Sequence, residues 1–260
     1  MTSLRVFWVS SIFAYRALFH WLNPGAYIFQ KVGFPLIQMT FFALIGTFSG
    51  AQPLAFYLVG NAILVAYRPM FTIATAVADE RRGGTLIYLV GSPANRVALF
   101  FGRGALHLVD GLWDVFFAFL YAWLIFGLDL SNANWAGLSL AILVATFGAS
   151  AIGLALGAVA YVVLDAAFLS NTAMFMLLLL TGANVPLAEL PGWVLPIAWA
   201  IPLTGSVEAG RLYAAGADLG AGTALVARDL AVGVVWALAG LFLFQWIEAQ
   251  ARRRGTLEAV

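Results

Sequence analysis

Residues 136–160 read AGLSLAILVATFGASAIGLALGAVA, without a single charged side chain. A helix needs roughly 20 consecutive apolar residues to cross the hydrocarbon core of a bilayer, and this stretch is longer than that. The same chemistry recurs along the 260-residue chain, which is 63% hydrophobic and 10% charged. A soluble domain carries about a quarter charged residues. Mean hydropathy is +0.95. The fold class read from this is all-α integral membrane, with lipid as the surrounding partner. Working outward, six spans are expected, at 26–50, 54–78, 97–127, 136–160, 166–185 and 224–248, each bounded by polar or turn-forming residues.

Two apolar stretches do not read as spans. At about 100° per residue, Thr2, Arg5, Arg16, His20 and Asn23 fall in one narrow arc, and Phe7, Trp8, Phe13, Leu18, Phe19 and Leu22 fill much of the rest. A thin cationic stripe beside bulky aromatics suits a helix lying in the headgroup plane. Residues 1–24 are therefore expected to form an interfacial helix, ended by Asn23-Pro24-Gly25. Residues 186–222 contain Pro186, Pro191, Pro196 and Pro202 with Glu189, Glu208, Arg211 and Asp218. Lipid-exposed irregular backbone is forbidden in hydrocarbon, so short helices on, or dipping into, the external face are expected there.

Orientation follows the basic residues. With six spans and both termini in the cytoplasm, Arg5, Arg16, Lys31, Arg81, Arg82, Arg96, Arg103 and Arg252 to Arg254 lie inside, and Arg211 and Arg228 outside. Ten against two is the bias expected of cytoplasmic loops. The protein is expected in the cell (plasma or inner) membrane. Net charge is only +1, so no global field recruits nucleic acid. With no cysteine, disulfides, thiolate zinc sites, cysteine nucleophiles and cysteine lipid anchors are excluded. A secretory signal is not expected, because Arg16 interrupts the first apolar stretch and no small-x-small cleavage site follows. No internal repeat or separate soluble domain is visible, and residues 1–260 read as one domain.

The stretch from Asp79 to Arg103 reads DERRGGTLIYLVGSPANRVALFFGR. Gly83-Gly84 breaks the end of one helix. Thr85 can cap a new short helix through its hydroxyl, Leu86, Ile87, Leu89 and Val90 give it an apolar side, and Ser92-Pro93 ends it. An apolar cytoplasmic helix flanked by arginines needs a cover, either the membrane surface or a protein.

The segment resembles the first cytoplasmic loop of ABC-2 type membrane subunits of ABC exporters. That loop reads Glu-Arg-x-x-Gly-Thr-Leu, then apolar residues, then Ser-Pro. Glu80, Arg81, Gly84, Thr85, Leu86, Leu89, Ser92 and Pro93 match it in order. A second likeness lies in LPGWVLPIAWAIPLTGSVEAGR, where Pro202, Leu203, Thr204, Glu208 and Arg211 are similar to the family's Pro-rich external segment. One position departs: Ile87 stands where the family often has an acidic residue.

The resemblance implies that the 79–96 loop is a coupling helix docking into an ATP-hydrolysing subunit through Glu80, Arg81, Arg82, Gly84, Thr85, Leu86, Tyr88, Leu89, Ser92 and Pro93. It also implies two ATPase copies beneath a pair of like or unlike permease subunits, and outward movement of an amphiphile such as a drug, lipid or lipid-linked glycan by alternating access. This chain has no Gly-x-x-x-x-Gly-Lys-Ser/Thr phosphate loop, and its only lysine is Lys31. ATP and Mg are therefore expected on the partner, with no cofactor bound and no catalysis by this chain.

Ionisable groups within spans are functional hypotheses by default. Arg68 in span two and His107, Asp110 and Asp114 in span three stand out. Arg68 and Asp114 each lie eleven residues from a cytoplasmic marker, Asp79 and Arg103 respectively, or about 16 Å deep at 1.5 Å per residue. Arg68 is expected to pair with Asp114, or else with Asp110. The pair serves either structure or substrate. His107, Asp110 and Asp114 also share a helical face, which opens a metal-site reading, but the motif context of metal-binding membrane phosphotransferases is missing and no metal is expected. Gly148, Ser150, Gly153 and Gly157 allow close helix contact, between subunits or within one. Asn61, Ser170, Asn171 and Thr172 are candidates to line a translocation path, or simply to hydrogen-bond between helices. Two rival functions remain: a proton-coupled secondary carrier, which would often show inverted repeats, and a metal-dependent enzyme acting on lipid.

Overall fold

A computed structural model describes residues 3–21, 23–82, 95–160 and 165–254. Among them every regular element is helical: α1 (Ser3–Trp21), α2 (Pro24–Ser49), α3 (Leu54–Leu64), a 3-10 turn (Val65–Tyr67), α4 (Arg68–Arg82), α5 (Arg96–Leu124), α6 (Trp135–Ala160), α7 (Ala166–Leu180), a 3-10 turn (Leu187–Glu189), α8 (Leu195–Trp199), α9 (Thr204–Ala214) and α10 (Leu219–Arg254). The expected coupling helix falls mostly outside the described residues, which stop at Arg82 and resume at Asn95.

The helix ends follow local chemistry. Asn23 caps α2, its Oδ1 accepting from the Ala26 amide at 2.7 Å, with Pro24 at the first helical position where no amide is needed. At the other end Gly50 takes φ 59°, and its amide reaches the Gly46 carbonyl at 3.2 Å. That left-handed stop suits a residue without Cβ. Asn95 opens α5 by accepting from the amides of Val97 and Ala98 at 3.0 and 3.2 Å.

Among the described residues five helices are long and apolar enough to cross a membrane: Pro24–Ser49, Leu54–Ala76, Val97–Leu124, Trp135–Ala160 and Leu219–Gln250. The remaining expected span, 166–185, the fifth in order, is the 15-residue helix Ala166–Leu180, about 22 Å long. It stops short because Gly182 turns the chain at φ 78° and Asn184 Nδ2 donates to the Leu178 carbonyl at 3.1 Å, satisfying an end-of-helix acceptor.

The charge-free stretch 136–160 becomes the hub. α6 is packed by α3, α4, α5, α7, α9 and α10. Its small residues admit these neighbours: a Cβ at Gly153 would lie 2.8 Å from the Met70 Cα in α4, and one at Gly148 would overlap the Pro202 carbonyl. Both close approaches are within this chain. α1 lies along α5, where Ser10 Oγ donates to the Leu99 carbonyl at 3.0 Å. Val6, Ser11 and Ala14 of α1 are buried, and Leu4, Arg5, Trp8, Ile12, Phe13 and Arg16 are exposed. The Pro-rich segment does form short helices, and α9 is tucked between α3, α6 and α10 rather than lying on the surface.

Candidate functional site

Pro69 has no amide hydrogen, and its ring conflicts with the carbonyl four residues back. The helix therefore tightens into the 3-10 turn at Val65–Tyr67 before resuming at Arg68. Directly opposite, Gly111 of α5 meets the Pro69 ring so closely that a Cβ there would overlap Pro69 Cγ. This approach brings Arg68 level with Asp110 and Asp114, which stand one turn apart on one side of α5. α2 closes the group with Tyr27, Lys31 and Phe34, at helical spacings of four and three.

Lys31 sits at the centre. Its Nζ lies 2.6 Å from Asp110 Oδ2 and 2.8 Å from Asp114 Oδ2, and reaches the Asp110 carbonyl at 3.3 Å. Arg68 Nε lies 3.2 Å from the same Asp114 Oδ2, at an angle that forms an ion pair but no hydrogen bond. Its guanidinium stacks 4.2 Å from the centre of the Phe34 ring. Tyr27 Oη donates to Asp110 Oδ1 and lies 2.8 Å from Tyr15 Oη, which links α1 to the cluster. Two cations thus face two carboxylates with side chains at most a tenth exposed. Taking such ions from water costs several kcal/mol each, and mutual pairing offsets this only when geometry is close, as it is around Lys31.

Lys31 corrects the charge map read from the sequence. It does not join the arginines expected in the cytoplasm; it is buried between α2 and α5, leaving nine basic residues against two in the orientation count. Its position five residues into the expected span 26–50, about 8 Å along a helix, was the available signal. His107 is buried near Tyr15, with ring centroids 5.7 Å apart, and neither ring nitrogen has a hydrogen-bond partner among the described residues. The described residues contain no group of three His, Asp or Glu side chains placed to hold a metal ion.

The path candidates do not form one lining. Asn61 Nδ2 donates to the Tyr57 carbonyl and to Asn184 Oδ1, both at 2.9 Å, beyond the far end of α7 from the other three. Ser170 is buried, whereas Asn171 and Thr172 are exposed, and Thr172 Oγ1 bonds the Phe168 carbonyl at 2.9 Å. Of the loop residues, Glu80, Arg81 and Arg82 belong to the end of α4, and Gly84, Thr85, Leu86, Tyr88, Leu89, Ser92 and Pro93 lie outside the described residues.

A second polar group holds the Pro-rich segment. Arg211 of α9 donates to Glu208 Oε1 at 2.9 Å, to the Gly182 and Ala183 carbonyls at 2.7 and 3.1 Å, and to the Phe56 carbonyl at 3.3 Å, while stacking on the Phe56 ring. Burial pulls its guanidinium down to about 10, with Glu208 opposing the shift, so it stays charged at neutral pH. Asp229 of α10, which the sequence reading passed over, is fully buried and accepts from the amides of Gly205 and Ser206 at 3.0 and 2.6 Å. It caps α9 from another helix, because Leu203 at the cap position has no side chain for the task.

Compared with known proteins, the chain matches the family model described as ABC-2 type transporter over residues 7–213. No curated protein matches it.

Proposed function

Because the chain belongs to the ABC-2 type transporter family, we propose that it is the membrane half of an ATP-driven exporter that moves an amphiphile outward. The family's members are transport components rather than catalytic enzymes, and they generally work with an ATPase subunit. In this reading two ATPase copies bind ATP and Mg beneath a pair of permease subunits in the plasma membrane. Both termini lie in the cytoplasm, α1 lies at the interface, and the 79–96 loop receives the ATPase stroke through Glu80 to Pro93.

The observation that carries the reading is the tie between the two helices flanking that loop. α4 runs into it and α5 leaves it, and Pro69 on Gly111 with Arg68 beside Asp114 joins them well inside the bundle. A push on the loop would therefore move both helices as one body instead of splaying them. The family match, running through this loop and into the Pro-rich segment as far as residue 213, supports the same assignment.

The test is co-purification with an ATPase subunit followed by transport in proteoliposomes. The expected result is association and ATP-dependent transport, both weakened by Glu80→Ala and Leu86→Ala. Transport that continues without ATP would favour a proton-coupled carrier instead, and lipid turnover abolished by chelators would favour an enzyme.

A further inference from the structure

Arg68 has more donors than partners. A guanidinium offers five N–H groups in a planar fork, yet among the described residues this one makes only the 3.2 Å ion pair through Nε and the stack on Phe34. Its side chain is nine-tenths buried. Asp114 Oδ2 is shared with Lys31 at 2.8 Å, and neither Nη of Arg68 has an acceptor among the described residues. Of these donors Nε is buried without a hydrogen-bond acceptor, which costs about 1–3 kcal/mol.

A second idle donor stands in the same seam. Gln38 is one turn beyond Phe34 on α2. Its Oε1 accepts from Tyr67 Oη at 3.2 Å, leaving Nε2 buried without a partner among the described residues. Tyr67 directly precedes Arg68. Where Arg68 and Tyr67 meet α2, a charged fork and an amide N–H thus lie beside Phe34, which is 40% exposed, with Ile37 at 60%. Donors set beside exposed apolar side chains match an oxyanion carried on a hydrocarbon tail. Arg recognises phosphate and carboxylate through two parallel N–H bonds, and such bonds are stronger in a medium of low dielectric.

We infer that Arg68, with Phe34 and Gln38, forms a site for the anionic headgroup, phosphate or carboxylate, of an amphiphile entering between α2 and α4. As the substrate site of the exporter it rests on the permease reading above, but binding itself needs no ATPase.

The full chain in neutral detergent, without any ATPase, is titrated with phosphatidic acid, with diacylglycerol carrying the same tails, and with inorganic phosphate, and bound ligand is read by native mass spectrometry. Phosphatidic acid should bind about tenfold or more tighter than diacylglycerol, and inorganic phosphate should not displace it at matched concentration. Arg68→Lys, which keeps the charge beside Asp114 but loses the fork, should weaken phosphatidic acid several-fold. The pair Arg68→Gln with Asp114→Asn keeps the cluster neutral and should bring phosphatidic acid down to the diacylglycerol level while the chain still unfolds cooperatively. Wild-type affinity in that double variant would overturn the site, as would equal binding of diacylglycerol. Full displacement by inorganic phosphate would overturn its assignment to an amphiphile. Loss of ATP-driven transport with binding intact would refute the exporter reading alone.

Discussion

The ring of Pro69 rests on Gly111, with no room between them for a methyl group. This one contact brings α4 to the face of α5 that carries Asp110 and Asp114, and it sits within a residue of Arg68. Gly111→Ala would force the Cβ into Pro69 and to 2.9 Å from Thr146 Cγ2. Overpacking of this kind costs about 1–3 kcal/mol. Thermal unfolding in detergent should show a lowered midpoint, and an unchanged one would mean that α4 and α5 can part freely.

Lys31 should matter more than Arg68. Lys31→Met leaves both carboxylates without the ammonium they share, and removing one member of a buried pair costs about 3–5 kcal/mol. Arg68→Ala removes only the 3.2 Å contact, which lacks hydrogen-bond geometry. In unfolding experiments Lys31→Met should therefore be the more damaging change. Adding Asp110→Asn should recover part of the loss, and strict additivity of the two would contradict a direct pair.

The pair of Arg68 and Asp114 is open to the same treatment. Both single alanine variants should impair assembly or transport, with the double variant milder than their sum, because groups in one ion-pair network do not contribute independently.

Asp229→Ala would orphan two buried amides at the start of α9. Loss of a helix cap costs about 0.5–2 kcal/mol, and here the cap bridges two helices. Limited proteolysis should cut residues 186–222 faster in the variant. Asp229→Asn, keeping one acceptor oxygen, should fall between it and the wild type.

Arg211→Lys keeps a positive charge but cannot reach three carbonyls and Glu208 at once while stacking on Phe56. It should lower the unfolding midpoint nearly as much as Arg211→Ala. A midpoint near the wild type for the lysine variant would show that charge alone suffices there.

Much of the layout was legible along the chain because it depends on local chemistry. Asn23-Pro24 marks a helix end through a hydrogen bond to an amide a few residues away. The prolines of 186–222 broke that segment into short helices. Arg68 and Asp114 were expected at one depth because rise per residue converts spacing into height. Lys31 was misplaced and Asp229 overlooked for a common reason: each lies near the expected start of a span, where sequence cannot distinguish a charge facing water from one turned inward. Whether Gly148 and Gly153 serve contacts inside the subunit was likewise open until Pro202 and Met70 were found against them.

By itself the sequence determined the solvent this protein folds in and where its helices break, since hydropathy and capping act over a few neighbouring residues. Which charges meet, which donors stay idle and which helix caps another were decided by the tertiary structure alone. Those outcomes depend on how far one helix slides and turns against the next. That register is set by contacts such as Pro69 on Gly111, between residues remote from each other in the chain.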